Sequence, residues 1–365
     1  MSAPLRVVFR ADSSLVIGTG HVMRCLMLAR RLREAGADCA FVCADLPGHL
    51  GHVIAEWGMA VTMLPTPNAA NSDPADYASW SGLPWEVDAE VTAGLLARRP
   101  PDWLVVDHYG LDARWECAVA PKRTRCLAID DLANRSHAAS LLVDASLVRQ
   151  PEAYTEHVPA ECMLLLGPQY ALLRPEFAYS RAEILPTRSA RALQHVLITM
   201  GGVDLPNASG AVLEALGALP VPDRVHVTLV LGRTAPHLET VRAQANTLPF
   251  SCDVLVDVAD MHRLMGAADV AIGAVGGTAW ERCVLGLPSL MLSIADNQTL
   301  GAYALAQAGA GLYLGALNQA GWIQALATGL AALEKPGALA EVSRAASALC
   351  DGRGTERVVQ TMLRV

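Results

Sequence analysis

The feature that most constrains this chain is a rhythm that runs through it twice. Short, β-rich apolar runs alternate with helical patterns in the first half, and the same alternation restarts in the second. Such alternation is the signature of βαβ units on a parallel sheet. Strands are expected at residues 6–12, 38–45, 60–64, 103–109, 126–131, 141–145 and 163–166, then at 195–200, 225–231, 253–256, 269–272, 289–294 and 311–314. Helices are expected at 21–35, 206–219, 236–246, 261–266, 278–285, 298–308 and 356–363. The first is the clearest: Val22, Cys25, Leu26, Ala29 and Leu32 fall on one face, and Gly36 is placed to end it. Each half opens with a strand that runs into a glycine-containing turn. The pattern therefore predicts two doubly wound α/β halves that bind ligands at the carboxyl ends of their strands, with a cleft where the halves face each other.

Residues 173–191 carry Pro175, Pro186 and several charges and read as a linker. The expected domains are 1–185 and 186–350, with a last helix in 351–365 packing back on the N-terminal domain. Residues 68–83, rich in Asn, Asp, Ser, Pro and Gly, read as a surface loop.

Composition narrows the function. Twenty-eight basic residues against 36 acidic ones give a net charge of −8, which argues against a broad footprint for nucleic acid or an anionic membrane. With 52% apolar and 18% charged residues a large core can form. No apolar run reaches the roughly 18 residues of a spanning helix, and the first residues enter a strand-like run without a signal-peptide layout. The nine cysteines are scattered, form no C-x-x-C pair and sit mostly in apolar segments. They read as reduced thiols of a cytoplasmic protein rather than a zinc site. No interface pattern stands out, so a monomer is expected.

Two turns carry chemistry. The first strand ends at Asp12, and Gly18-Thr19-Gly20-His21 leads into a helix with Arg24 one turn on. Glycines let backbone approach a ligand, and the helix N-terminus offers free N–H groups and partial positive charge. His21 there can hold or move a proton near neutral pH. A dinucleotide fingerprint would want a third glycine where Met23 stands, although Asp45 ends the second strand as a ribose-binding acid would. In the second half, Gly276-Gly277-Thr278 follows a strand and opens a helix, with Glu281 one turn inside. Those amides and the Thr278 hydroxyl suit phosphate oxygens, and Glu281 suits a ribose diol. The bland reading of Glu281 is a carboxylate that complements the helix dipole. Asn297, opening the next helix, is either a sugar or phosphate ligand or an N-cap. Gly201-Gly202, after the first strand of this half, offers more amides. The chain contains neither D-x-D nor H-E-x-x-H nor a Walker lysine motif, so neither metal nor cofactor is implied.

These residues, in this order, resemble a known family. Arg10-Ala11-Asp12 and Ile17-Gly18-Thr19-Gly20-His21-Val22-Met23-Arg24 look like the opening of the nucleotide-sugar hydrolases of pseudaminic acid biosynthesis. Asp107-His108-Tyr109, Ala128-Ile129-Asp130-Asp131, Leu166-Gly167-Pro168-Gln169-Tyr170, Gly201-Gly202, Trp280-Glu281-Arg282 and Asp296-Asn297-Gln298 continue the match along nearly the whole chain.

The resemblance implies a GT-B-like fold. It also implies metal-independent, inverting hydrolysis of UDP-2,4-diacetamido-2,4,6-trideoxy-β-L-altropyranose to UDP and the free sugar. By resemblance His21 and Tyr109 are catalytic. Asp12, Gly18, Gly20, Arg24 and Asn297 hold substrate, and Gly201, Gly202, Gly276, Gly277, Thr278 and Glu281 hold UDP. The partners implied are a small UDP-sugar and water, neither nucleic acid nor membrane. Where the family usually has Leu-Leu-Asp-Gln-Asn this chain has Val143-Asp144-Ala145-Ser146, and Leu205 replaces a usual proline. The rival classes are a GT-B glycosyltransferase, a hydrolysing epimerase acting on a UDP-amino sugar, and a non-catalytic nucleotide-sugar binder that would not need His21.

Overall fold

The computed structural model describes residues 4–66, 76–219 and 225–365. Its contacts divide the chain into two units, Met1–Leu172 with Gly354–Val365, and Leu173–Arg353. Both are doubly wound α/β units, as the alternation predicts.

The first unit is built on seven parallel strands among the described residues: β1 (Arg6–Ala11), β2 (Asp38–Ala44), β3 (Ala60–Leu64), β4 (Trp103–Asp107), β5 (Arg125–Ile129), β6 (Leu141–Asp144) and β7 (Met163–Leu166). Their order is β3-β2-β1-β4-β5-β6-β7. Successive residues serve opposite faces: Val7 and Phe9 join one buried cluster with the helix Gly20–Glu34, while Val8 joins another with Trp115. Burial on both faces explains why these strands read as continuous apolar runs rather than alternating ones. Phe9 and Phe41 are register partners, and their rings stack 4.7 Å apart. The helix Gly354–Arg364 lays Val358, Val359 and Met362 into the cluster that holds the helix Gly20–Glu34.

The second unit repeats the plan with six parallel strands among the described residues: β8 (His195–Thr199), β9 (His226–Leu231), β10 (Ser251–Val256), β11 (Val270–Gly273), β12 (Ser289–Ser293) and β13 (Leu312–Ala316), in the order β10-β9-β8-β11-β12-β13. In each sheet the winding direction reverses between two neighbouring strands, β1 and β4 in the first unit and β8 and β11 in the second. The turns leaving those strands frame the crevice in which such folds bind ligands.

Three expectations need correction or extension. Residues 173–191 are no loose linker. Pro175 opens a helix, Pro175–Ile184, that buries Phe177, and a 3-10 stretch follows at Leu185–Ala190. Arg181 donates to the carbonyls of Val284, Ser347 and Cys350, and Arg188 to those of Met265, Ala268 and Leu285. These bonds tie the segment to the second unit, so the split falls before it, at Leu172/Leu173, rather than at 185/186. Of the expected loop at 68–83, residues 68–75 lie outside the described residues. The rest is packed: Tyr77–Ser79 forms a 3-10 turn, and Trp80 and Ser81 are buried. Two helices, Trp322–Leu333 and Ala338–Leu349, cover the second unit without having been anticipated. Among the described residues no helix is long and apolar enough to cross a membrane.

Candidate active site

In the first unit the turn after β1 folds back on itself. Ser14 and Gly18 exchange backbone hydrogen bonds, the Ser14 hydroxyl accepts from the amides of Val16 and Ile17, and Gly18 takes φ +79. Among the described residues, a Cβ on Gly18 or Gly20 would meet nothing within 4 Å, so both glycines border open space there. The helix then starts at Gly20 with no side chain capping its end, and His21 stands in its first turn.

The turn after β4 meets it. Asp107 Oδ1 lies 2.6 Å from His21 Nδ1, and the Arg24 guanidinium donates to both oxygens of the same carboxylate at 2.6 Å. Burial works to raise the pKa of Asp107, yet Arg24 and His21 beside it hold it well below the usual carboxylate range. An ionised carboxylate there fixes the imidazole tautomer: Nδ1 carries the proton, and the Nε2 lone pair faces away from Asp107. Arg24 also donates to Asp131 at 3.0 Å, and Tyr109 donates its hydroxyl proton to the other oxygen of Asp131 at 2.5 Å. Burial, with Asp131 next to it, raises the Tyr109 pKa well above normal, so the phenol keeps its proton at neutral pH. Tyr109 can orient a ligand through its oxygen lone pair but cannot act as the base.

Aromatic rings close one side. The Tyr109 and His21 rings meet edge to face at 4.7 Å, with Tyr77 5.0 Å and Trp80 5.4 Å from Tyr109. This wall comes from the segment that sequence alone reads as a surface loop.

Asp12, expected to hold substrate, is instead fully buried. Its Oδ1 accepts from Arg10 at 2.5 Å and from the Ala44 amide at 2.7 Å, and His108 Nε2 sits 3.3 Å from Oδ2. Arg10 also grips Asp88, whose Oδ1 accepts from the Trp115 indole at 2.8 Å. The Asp12 carboxylate is thus spent on holding β1 to its neighbours. Arg24 is likewise committed to Asp107 and Asp131, leaving it an organising role. The sequence motifs contain both Asp107 and Asp131 without assigning either a role, although the place of Asp107 at the end of β4, beside β1, is an available signal; the Tyr77–Trp80 wall lies outside every motif.

In the second unit, the turn after β11 leads into the helix Gly277–Val284, whose N-terminus has no side-chain cap. Gly276 and Gly277 are exposed, and a Cβ on either would meet nothing within 4 Å among the described residues. The Thr278 hydroxyl makes no hydrogen bond among the described residues. Glu281 is only 8% exposed, yet its carboxylate also has no hydrogen-bond partner among them. Burial raises its pKa, and Arg174 and Arg282 offset part of that. A nearly buried carboxylate without a donor is more than a dipole complement requires.

The turn after β8 differs. Gly201 takes φ +100 and faces open space. The Gly202 carbonyl accepts from Gly232 at 2.8 Å, and Asp204 caps the next helix through the amides of Ala208 and Ser209, both at 2.8 Å. That helix end is therefore occupied by the chain itself. Asn297 is exposed in the 3-10 turn Asp296–Gln298 and caps nothing; Gln298 accepts from the Ile294 amide instead. Among the described residues no group of three or more His, Cys, Asp or Glu side chains is placed to hold a metal ion.

No protein-family model matches the chain. Over 159 residues it is 31% identical to the spore coat polysaccharide biosynthesis protein SpsG of Bacillus subtilis, a match that spans 44% of this chain and 46% of that one. Among solved structures, MurG of Acinetobacter baumannii superposes with a TM-score of 0.69 over 99% of this chain and all of that one, at 18% identity. The spinosyn rhamnosyltransferase SpnG gives 0.60 at 17% identity over 98% of this chain and all of that one. These likenesses show a GT-B fold of two Rossmann-like units. Over 306 residues, 84% of this chain and 97% of the relative, the sequence is 24% identical to the UDP-2,4-diacetamido-2,4,6-trideoxy-beta-L-altropyranose hydrolase of Campylobacter jejuni, the protein type that its motifs resemble.

Proposed function

We propose that this chain hydrolyses UDP-2,4-diacetamido-2,4,6-trideoxy-β-L-altropyranose to UDP and the free sugar, without a metal and with inversion at the anomeric carbon, as a step of pseudaminic acid biosynthesis. The coarser reading, an enzyme acting on a nucleotide sugar, rests on the sequence relationship together with the fold. The observation that carries the finer one is His21: its Nδ1–H is fixed on Asp107, so Nε2 is presented as an unoccupied base at a helix N-terminus bordered by two open glycines.

In this reading His21 Nε2 takes a proton from water while the water oxygen bonds to C1 and the C1–O bond to UDP breaks. General-base assistance of this kind is worth on the order of 10²–10⁴-fold. The departing diphosphate carries the electron pair away and needs little protonation where uncapped amides receive it. Gly276, Gly277 and Thr278 supply those amides in the second unit, Glu281 takes the ribose hydroxyls, and Gly201, Gly202 and Asn297 line the same strand ends. The first unit is the catalytic and sugar-binding domain, with Tyr109 orienting the water or a sugar substituent. All nine thiols are free, in keeping with a cytoplasmic enzyme, which we take to be a monomer.

The test is UDP release from a panel of UDP-diacetamido-trideoxy sugars in the presence of EDTA and without an acceptor. Rapid release from the L-altro compound alone is the expected result. Release that requires an added acceptor alcohol would make the protein a transferase.

A further inference from the structure

Three arginines among the described residues are buried, and two of them are fully used. Arg10 pairs with Asp12 and Asp88, and Arg188 donates to three carbonyls. Arg282 is different. It is 1% exposed, and Nη2 donates to the Ala274 carbonyl at 2.8 Å, while Nε and Nη1 are buried with no partner among the described residues. No carboxylate lies within ion-pair distance of it among the described residues. Burial pulls its pKa down to about 10, which still leaves it charged at neutral pH.

A buried guanidinium with idle N–H groups is costly. Its position suggests what offsets the cost. Ala274 begins the turn 274–278 that opens the uncapped helix Gly277–Val284, and Nη1 presses against Gly273 so closely that a Cβ there would overlap it. The charge therefore sits directly beneath the turn whose upper side, at Gly276 and Gly277, is open.

We propose that Arg282 is the counter-charge of a nucleoside diphosphate seated on the turn 274–278, acting through that turn as a positioning residue and not by touching the ligand. This rests on the nucleotide reading given above and adds a residue to it. Arg282 fixes the Ala274 carbonyl, so the amides that follow point outward, and its positive field in a low-dielectric site adds to the helix end. A neutral nucleoside gains nothing from that field.

The experiment compares UDP with uridine by calorimetry on the full chain and on Arg282→Met, Arg282→Gln and Arg282→Lys, with circular dichroism to confirm the fold. Gln retains a donor for Ala274 without charge, and Lys retains the charge, so the test survives if Met fails to fold. Met and Gln are expected to lose UDP affinity on the order of tenfold or more with uridine affinity within about twofold, and Lys to keep most of the UDP preference. Equal losses for UDP and uridine, or no loss for either, would overturn the role of Arg282. Wild-type protein that binds neither compound would overturn the nucleotide reading and this role with it.

Discussion

Asp107 holds His21 and Arg24 with one carboxylate: Oδ1 meets His21 Nδ1 and Oδ2 takes the Arg24 Nε–H, both at 2.6 Å. The orientation of the imidazole is therefore set from the neighbouring strand and not from its own helix. Asp107→Asn leaves a group of the same shape but can present an NH₂ to Nδ1, which favours the wrong tautomer and puts the proton on Nε2. Turnover is expected to fall by roughly 10²–10⁴-fold, with UDP affinity within a few-fold of wild type. His21→Ala should do the same. Steady-state rates beside calorimetric UDP titrations check both, and surviving turnover in either variant would remove His21 from the mechanism.

The aromatic wall depends on a missing Cβ. The Tyr77 carbonyl oxygen lies where a Cβ on Gly110 would go, so Gly110→Ala must push the 3-10 turn at Tyr77–Ser79 off the Asp107–Gly110 turn. Because Trp80 and Tyr77 pack on Tyr109, the expected loss is in KM for the sugar nucleotide and in kcat, with free UDP binding unchanged. An unchanged KM would mean that the wall does not border the sugar.

Glu281 offers a test of the second unit by itself. A nearly buried carboxylate without a donor should bind a diol with two charge-assisted hydrogen bonds, each worth about 1.5–3 kcal/mol at most. Glu281→Gln should weaken UDP binding at least tenfold, and 2′-deoxy-UDP should bind the wild type as weakly as UDP binds the variant. If 2′-deoxy-UDP binds normally, Glu281 has another task.

How much of this was legible in the sequence follows from which physics was local. The strands were legible because each is an apolar run of its own, and the two glycine turns because glycines and helix starts are local signals. The segment 175–190 was not, since its two prolines and its charges look like a linker until Arg181 and Arg188 find carbonyls some 70 to 170 positions away in the chain. Asp12 shows the opposite failure. A polar residue at a strand end beside a glycine turn looks like a ligand group, and only the arrival of Arg10, His108 and the Ala44 amide shows it to be structural. Tyr77 and Trp80 sit in a polar stretch whose composition hides the two rings that pack on Tyr109.

Asp144 gives the pH dependence. It is fully buried, accepting from the Ser146 amide at 2.7 Å and lying 2.8 Å from the Tyr154 hydroxyl, which is also 3.1 Å from Asp130 Oδ2. One phenol proton cannot serve both carboxylates, and Asp130 already draws on Arg135 and two backbone amides. Burial pushes the Asp144 pKa from 3.8 up to about 6, so the folded state binds its proton more tightly than the unfolded chain does. That contribution is complete below pH 4 and is lost as pH rises through 6, a difference of roughly 3 kcal/mol across the window. Asp144→Asn mimics the protonated acid, since its NH₂ can donate to the Tyr154 oxygen while its carbonyl accepts from Ser146. The stability of the wild type relative to this variant should therefore fall between pH 4 and pH 7, as read from urea midpoints at each pH. Parallel curves would mean that Asp144 does not hold its proton in the folded protein.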